Sequence, residues 1–130
     1  MSKIVLDTNA YIALLAGDQN IVTIMNQATV IYFPVVVLGE LFYGFKGGAR
    51  SKENYQILER FLAKPTVQIA DITIETSEAF AHLKHQLKQI GQPIPINDCW
   101  IAAVTFEKGA VLVSFDNHFD KVPGIRLWER

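Results

Sequence analysis

Four acidic residues stand where a carboxylate can do chemistry. Asp7 and Asp116 each fall just past the end of a short apolar, β-branched run, where a strand is expected to stop. Glu40 interrupts a long apolar stretch, and Asp98 begins an apolar helical pattern. Carboxylate oxygens suit hard cations such as Mg²⁺ or Mn²⁺, not zinc. Two such ions about 3.5–4 Å apart commonly direct water at a phosphodiester, so the set predicts metal-assisted phosphodiester cleavage.

Each acid also has an ordinary structural explanation. Asp7 and Asp116 are typical capping or turn residues, and the helix dipole favours an acid such as Asp98 in a first turn. Glu40 has two open interpretations, a solvated helix face or a buried carboxylate that needs a partner. The hypothesis of a metal site therefore depends on the four residues together.

Other catalytic arrangements fit less well. His82, His85 and His118 do not share metal-ligand spacing with Cys99, and the first two are expected on a helix surface. Ser114 lacks the flanking glycines of a nucleophile elbow. Cys99, beside a tryptophan in a helical pattern, is expected to be a packing residue.

The elements that would position the acids alternate along the chain. Short β-branched runs predict strands, and longer stretches with helical spacing predict helices. Such alternation predicts a parallel sheet covered on both faces, with ligands outside the carboxyl ends of the strands. We expect one α/β domain over residues 1–130, with N-caps at Ser51, Thr73 and Asn97. The expected strands are 3–6, 30–33, 67–70, 111–114 and possibly a fifth at 125–128, and the expected helices are 8–16, 18–27, 34–45, 51–63, 73–90 and 98–108.

Composition narrows the class of protein. The 130 residues are 50% hydrophobic and 19% charged, with a net charge of −1 and one cysteine. This excludes a disordered chain and an internal disulfide. Without the four acids, nine acidic residues remain against 12 basic ones. The protein would then have a mildly basic surface around an acidic pocket, which is compatible with binding of a polyanion. The start of the chain lacks the apolar stretch of a signal peptide, and no run is long enough to span a bilayer, so we expect a cytoplasmic protein with no membrane partner.

Four segments resemble the acidic motifs of PIN domains, and in particular VapC-type toxins of bacterial toxin–antitoxin pairs. They are Asp-Thr-Asn at 7–9, Val-Leu-Gly-Glu-Leu at 37–41 with a glycine at 44, Ile-Asn-Asp-Cys-Trp-Ile-Ala-Ala at 96–103, and Ser-Phe-Asp-Asn-His-Phe at 114–119. The resemblance covers essentially the whole chain in order. It implies a PIN-like three-layer α/β/α sandwich around a central parallel sheet of four to five strands.

The resemblance also implies a function. It is that of a Mg²⁺- or Mn²⁺-dependent endoribonuclease whose metal-binding, catalytic quartet is Asp7, Glu40, Asp98 and Asp116. Ser114 matches the hydroxyl position of the family, usually Thr, and it and Asn9 are expected to bind substrate. Such toxins resemble one another in forming homodimers and in being silenced by a small VapB-type antitoxin.

Two rival functions have weaker support in the sequence. A Mg²⁺-dependent phosphatase or a phospho-accepting domain also places Asp at strand ends, but position 9 is Asn where one phosphatase class needs a second Asp. A PIN-like interaction module that has lost its chemistry is the other rival, and retention of all four acids argues against it.

Two surfaces are expected to meet partners. Lys46, Arg50 and Lys52 follow the Glu40 helix and are candidates for contacts with RNA phosphates, although a solvated loop would look the same. The apolar residues Leu41, Phe42 and Phe45 suggest a surface covered by a partner, and we expect helix 36–45 to border the antitoxin groove. The alternative is that these residues belong to the core of a monomer.

Overall fold

The computed structural model describes residues 3–129, in which four strands alternate with six helices. None of these helices is long and apolar enough to cross a membrane. The strands are β1 (Lys3–Leu6), β2 (Val30–Pro34), β3 (Val67–Ala70) and β4 (Val111–Val113). The helices are α1 (Thr8–Leu15), α2 (Gln19–Gln27), α3 (Val35–Lys46), α4 (Ser51–Leu62), α5 (Ile74–Gln89) and α6 (Ile96–Lys108), and a 3₁₀ turn covers Asn117–Lys121.

The strands form one parallel sheet in the order β3-β2-β1-β4, which confirms the predicted class. Ile4 pairs with Ile31 of β2 on one side and with Val111 of β4 on the other. The residues of β1 from Ile4 to Leu6 are fully buried, as expected for a strand covered on both faces. The possible fifth strand is reduced to a single parallel bridge between Leu112 and Leu127.

Neighbouring residues of β2 show that helices cover both faces of the sheet. Tyr32 points toward α6, where the Lys108 ammonium lies 5.3 Å from its ring centre. Phe33 points to the opposite face, since successive side chains alternate in a strand. There it packs edge-on against Tyr11 of α1 at 5.4 Å and contacts Phe61 of α4 at 5.3 Å. The result is the predicted three-layer sandwich.

Helix ends follow local chemistry, with two corrections to the predicted caps. Thr73 caps α5 through a capping box that it shares with Thr76, as predicted. Asn97 is not a cap, because α6 begins at Ile96, two residues before the predicted start, and Pro95 stands at its N-cap. The fixed backbone angle of proline suits that position without a side-chain hydrogen bond. Ser51 is likewise the first residue of α4, with Arg50 at the N-cap.

The apolar stripe of α3 is divided between the core and a second helix. Leu41 is buried in the core, so its assignment to a partner surface was wrong. Phe42 and Phe45 pack on the ring of Tyr55 in α4, with ring centres 5.3 and 5.0 Å away. Phe42 remains 37% exposed, and Tyr43 beside it projects farther into solvent, with an exposed fraction of 84%.

Candidate active site

The site lies where the order of strands reverses. From β1 the chain adds β2 and then β3 on one side, and it later returns to place β4 on the other side of β1. The carboxyl ends of β1 and β4 therefore flank the topological switch point, where parallel sheets bind ligands. Asp7 follows β1 directly, and Ser114 and Asp116 follow β4.

Asp7 is fixed by hydrogen bonds to both of its carboxylate oxygens. Its Oδ1 accepts the backbone N–H of Ala10 at 2.9 Å, so the residue also caps α1. Its Oδ2 accepts the hydroxyl of Ser114. Asp7 is only 5% exposed, and this burial raises its pKa. The two donors oppose that rise, whereas the negative charges of Asp98 and Asp116 add to it.

Ser114 connects the two strand ends. While its hydroxyl donates to Asp7, its oxygen accepts the backbone N–H of Asp116 at 2.9 Å. The predicted strand included Ser114, but β4 ends at Val113, which leaves the serine in the turn that presents Asp116. The hydroxyl therefore holds two acids of the predicted quartet in fixed positions.

Asp98, Asp116 and His118 form a compact cluster. The Nδ1 atom of His118 lies 2.8 Å from Asp98 Oδ2 and 3.0 Å from Asp116 Oδ1. One potential ligand atom from each of the three residues lies within 4.8 Å of the others, a spacing that could hold a metal ion. Burial raises the pKa of Asp98, the His118 hydrogen bond opposes this rise, and the charges of Asp116 and Glu40 add to it.

His118 is the site residue that sequence reasoning missed. Its spacing from Cys99 matches no metal-binding motif. The feature of the sequence that could have identified it is its position two residues after Asp116. In the structure both residues lie in one turn, where the backbone N–H of His118 donates to Asp116 Oδ1 at 2.9 Å. His82 and His85, by contrast, are exposed on α5 as predicted.

Glu40 reaches the site from α3. Its Oε1 accepts the hydroxyl of Thr8 at 2.6 Å, and Thr8 is the residue after Asp7. The effect of its charge on the pKa of Asp98 places it in the electrostatic field of the cluster. Of the two interpretations left open by the sequence, the half-buried carboxylate with a partner is therefore the correct one.

The remaining predicted substrate residues lie outside this cluster. Asn9 is exposed on α1. Lys46 ends α3, about 9 Å along the helix axis from Glu40. Arg50 pairs with Glu53 at 3.4 Å, and Lys52 is exposed. Among residues 3–129, none of the four makes a hydrogen bond or ion pair with the clustered acids.

The donor set fits a hard divalent cation. Carboxylates crowded at one strand edge raise one another's pKa, and a bound cation relieves that repulsion. Carboxylate oxygens with at most one imidazole nitrogen are typical of Mg²⁺ or Mn²⁺ and not of a thiolate zinc site. The cluster can thus hold metal and, through it, a phosphate group.

Comparisons with known proteins identify the family and the fold. The PIN domain family matches residues 4–125. Ribonuclease VapC4 from Mycobacterium tuberculosis is 32% identical over 99 residues, covering 72% of each chain. Ribonuclease VapC5 from the same organism is 27% identical over 123 residues, covering 92% of this chain and 87% of the relative. The crystal structure of DNA-bound VapBC from Salmonella typhimurium shares the fold, with a TM-score of 0.87 and 24% identity over 98% of both chains.

Proposed function

Because the chain belongs to the PIN-domain family, we propose that it is a metal-dependent endoribonuclease that acts as the toxin of a toxin–antitoxin pair. The observation that carries the proposal lies at the switch point of the sheet, where Ser114 links Asp7 to Asp116. There the His118 imidazole also contacts both Asp116 and Asp98. Relatives named as VapC ribonucleases support RNA as the substrate.

The acids and their hydrogen-bonding partners have separate tasks in this proposal. Asp7, Glu40, Asp98 and Asp116 would hold Mg²⁺ or Mn²⁺, with His118 beside them. The bound ions would supply charge stabilisation and an activated water for attack on the phosphodiester. Ser114 keeps Asp7 oriented, and its hydrogen bond opposes the rise in the pKa of Asp7 that burial causes. Thr8 orients Glu40 by donating its hydroxyl to Oε1.

RNA would approach the site at this edge of the sheet, where Asn9 is exposed and Ser114 is buried. We propose that Asn9 and Ser114 lie along the substrate path, and that Lys46, Arg50 and Lys52 contact phosphates farther along the strand. Lysine and arginine contacts of this kind supply most of the sequence-independent affinity for nucleic acid.

The proposed partners are a second copy of the chain and a VapB-type antitoxin, with the cytoplasm as the compartment. VapBC complexes among proteins of the same fold support the antitoxin. The exposed ring of Tyr43 on α3 offers it an apolar contact. Co-expression with a small protein encoded directly upstream, followed by light scattering, tests both partners. A strict monomer at micromolar concentration that captures no such protein contradicts this part of the proposal.

The nuclease activity is tested by incubating the purified protein with total RNA, first with EDTA and then with added Mg²⁺ or Mn²⁺. We expect cleavage only with metal, and we expect Asp7→Asn and Asp98→Asn to abolish it. Asp18→Asn is a matched control for the first variant, because Asp18 also caps a helix by accepting backbone N–H groups but lies outside the cluster. Full activity of either cluster variant, with folding confirmed by circular dichroism, would refute the site.

A further inference from the structure

A cavity beside the acidic cluster has no role in the function proposed so far. It has a volume of about 330 Å³ and lies between α5 and the segment that leads into α6. Ligand pockets span about 300–1,000 Å³, so this one suits a single small group. Its lining consists of Lys84, Leu87, Lys88, Pro93, Ile94 and Cys99.

The lining is divided between apolar walls and a positive rim. Leu87 and Cys99 are buried, and with Pro93 and Ile94 they supply the apolar surface. Lys84 and Lys88 are exposed and stand four residues apart, so they share one face of α5. Neither has an ion-pair partner within residues 3–129. Two neighbouring ammonium groups without a counter-charge complement an anion.

The cavity is connected to the cluster through a single turn of α6. Cys99 directly follows Asp98, so their Cα atoms are about 3.8 Å apart. A residue that lines the cavity is thus the direct neighbour in sequence of an acid in the cluster.

We propose that this cavity is a nucleobase subsite, which receives an unstacked base of the RNA next to the cleaved bond while Lys84 and Lys88 bind a flanking phosphate. The inference rests on the proposed nuclease function and deepens it. Proteins that recognise RNA by sequence commonly splay a base out of single-stranded or loop RNA into a pocket. An apolar wall contacts the face of the base, and the cationic rim matches the phosphate attached to it. The cavity would thus give the nuclease a preference for one base.

Direct binding of nucleotides tests the subsite without any cleavage. The four nucleoside 5′-monophosphates and inorganic phosphate are titrated into the intact protein by calorimetry, with EDTA present to keep metal from anchoring the phosphate. We expect at least one nucleotide to bind tenfold more tightly than phosphate. The Lys84→Gln/Lys88→Gln double variant should weaken that binding at least tenfold. The Lys3→Gln/Lys64→Gln variant, a matched control with the same charge change at the amino ends of β1 and β3, should stay within twofold.

A second variant tests the apolar part of the cavity. Ile94→Trp fills it and leaves both lysines, so nucleotides should then bind no better than phosphate. In cleavage of an RNA library with a randomised loop, the same variant should change the base preferred beside the cut. The subsite is overturned if no nucleotide binds, or if these variants do not affect nucleotide binding. It is also overturned if dodecanoate, a simple anionic amphiphile titrated in the same way, binds more tightly than the nucleotides. A protein that binds nucleotides here but cuts no RNA would instead overturn the nuclease proposal.

Discussion

The hydroxyl of Ser114 provides a quantitative test of how the site is built. Ser114 is 8% exposed, and Ser114→Ala removes one hydrogen bond to a carboxylate and one from a backbone N–H. A hydrogen bond to a charged group contributes about 1.5–3 kcal/mol and a neutral one about 0.5–1.5 kcal/mol. Because water can reach the partly buried Asp116 N–H, we expect the metal-free variant to lose about 2–4 kcal/mol of unfolding free energy at pH 7.

The effect should depend on pH with a definite sign. Burial raises the pKa of Asp7 in the folded protein, so the folded state holds that proton more tightly than the unfolded chain. Stability therefore falls as pH rises from about 4, the ordinary pKa of Asp, through the folded value. Loss of the Ser114 donor raises the folded pKa further. The difference in unfolding free energy between wild type and Ser114→Ala should therefore become smaller when the pH is lowered toward 4.

Urea unfolding followed by circular dichroism measures both effects, in EDTA at pH 7.5 and pH 4.5. Ser114→Thr is the matched control, because it keeps the hydroxyl, and it should stay within about 1 kcal/mol of wild type. A loss below about 0.5 kcal/mol for Ser114→Ala, an equal loss for Ser114→Thr, or a gap that does not change with pH would refute this reasoning.

Three further predictions concern regions outside the acidic cluster. The Tyr11 hydroxyl is buried without a hydrogen-bond partner among residues 3–129. Tyr11→Phe should therefore raise the unfolding free energy by about 1 kcal/mol, and a lower unfolding free energy in urea melts would contradict this. Thr76 is fully buried and donates to a carboxylate of α6 at 2.5 Å, so Thr76→Val should lose about 1.5–3 kcal/mol by the same assay, whereas an unchanged midpoint would contradict that bond. The triple variant Lys46→Gln/Arg50→Gln/Lys52→Gln should reduce the slope of log affinity for RNA against log salt by about 2; an unchanged slope removes these residues from the RNA path.

The sequence predicted the elements whose cause is local. The run Ile4–Leu6 is apolar because helices cover both faces of β1, and Thr73 caps α5 through a bond to a residue three positions away. Such signals are contained in a few consecutive residues. The errors at Asn97 and Ser51 are also local, because the N-cap positions fall at Pro95, two residues before Asn97, and at Arg50, one residue before Ser51.

The parts that could not be predicted depend on contacts between distant segments. The ambiguity of Glu40 is resolved by Thr8, a residue 32 positions away. His118 joins the cluster because the turn after β4 meets the start of α6, 20 residues earlier in the chain. No spacing within one segment records such a meeting. The orphaned hydroxyl of Tyr11 depends in the same way on how α1 and α4 pack over β2.

The placement of β4 beside β1 determines when the site can form during translation. Ser114 and Asp7 are 107 positions apart, and chains generally fold from the N-terminus as the ribosome makes them. Until β4 has been translated, one edge of β1 has no neighbour, and Asp7 lacks both its hydroxyl donor and the acid across the cleft. We therefore expect a premature stop codon before residue 116 to yield a product without nuclease activity. Among the strands that the structure describes, the last one to be translated thus completes the proposed site.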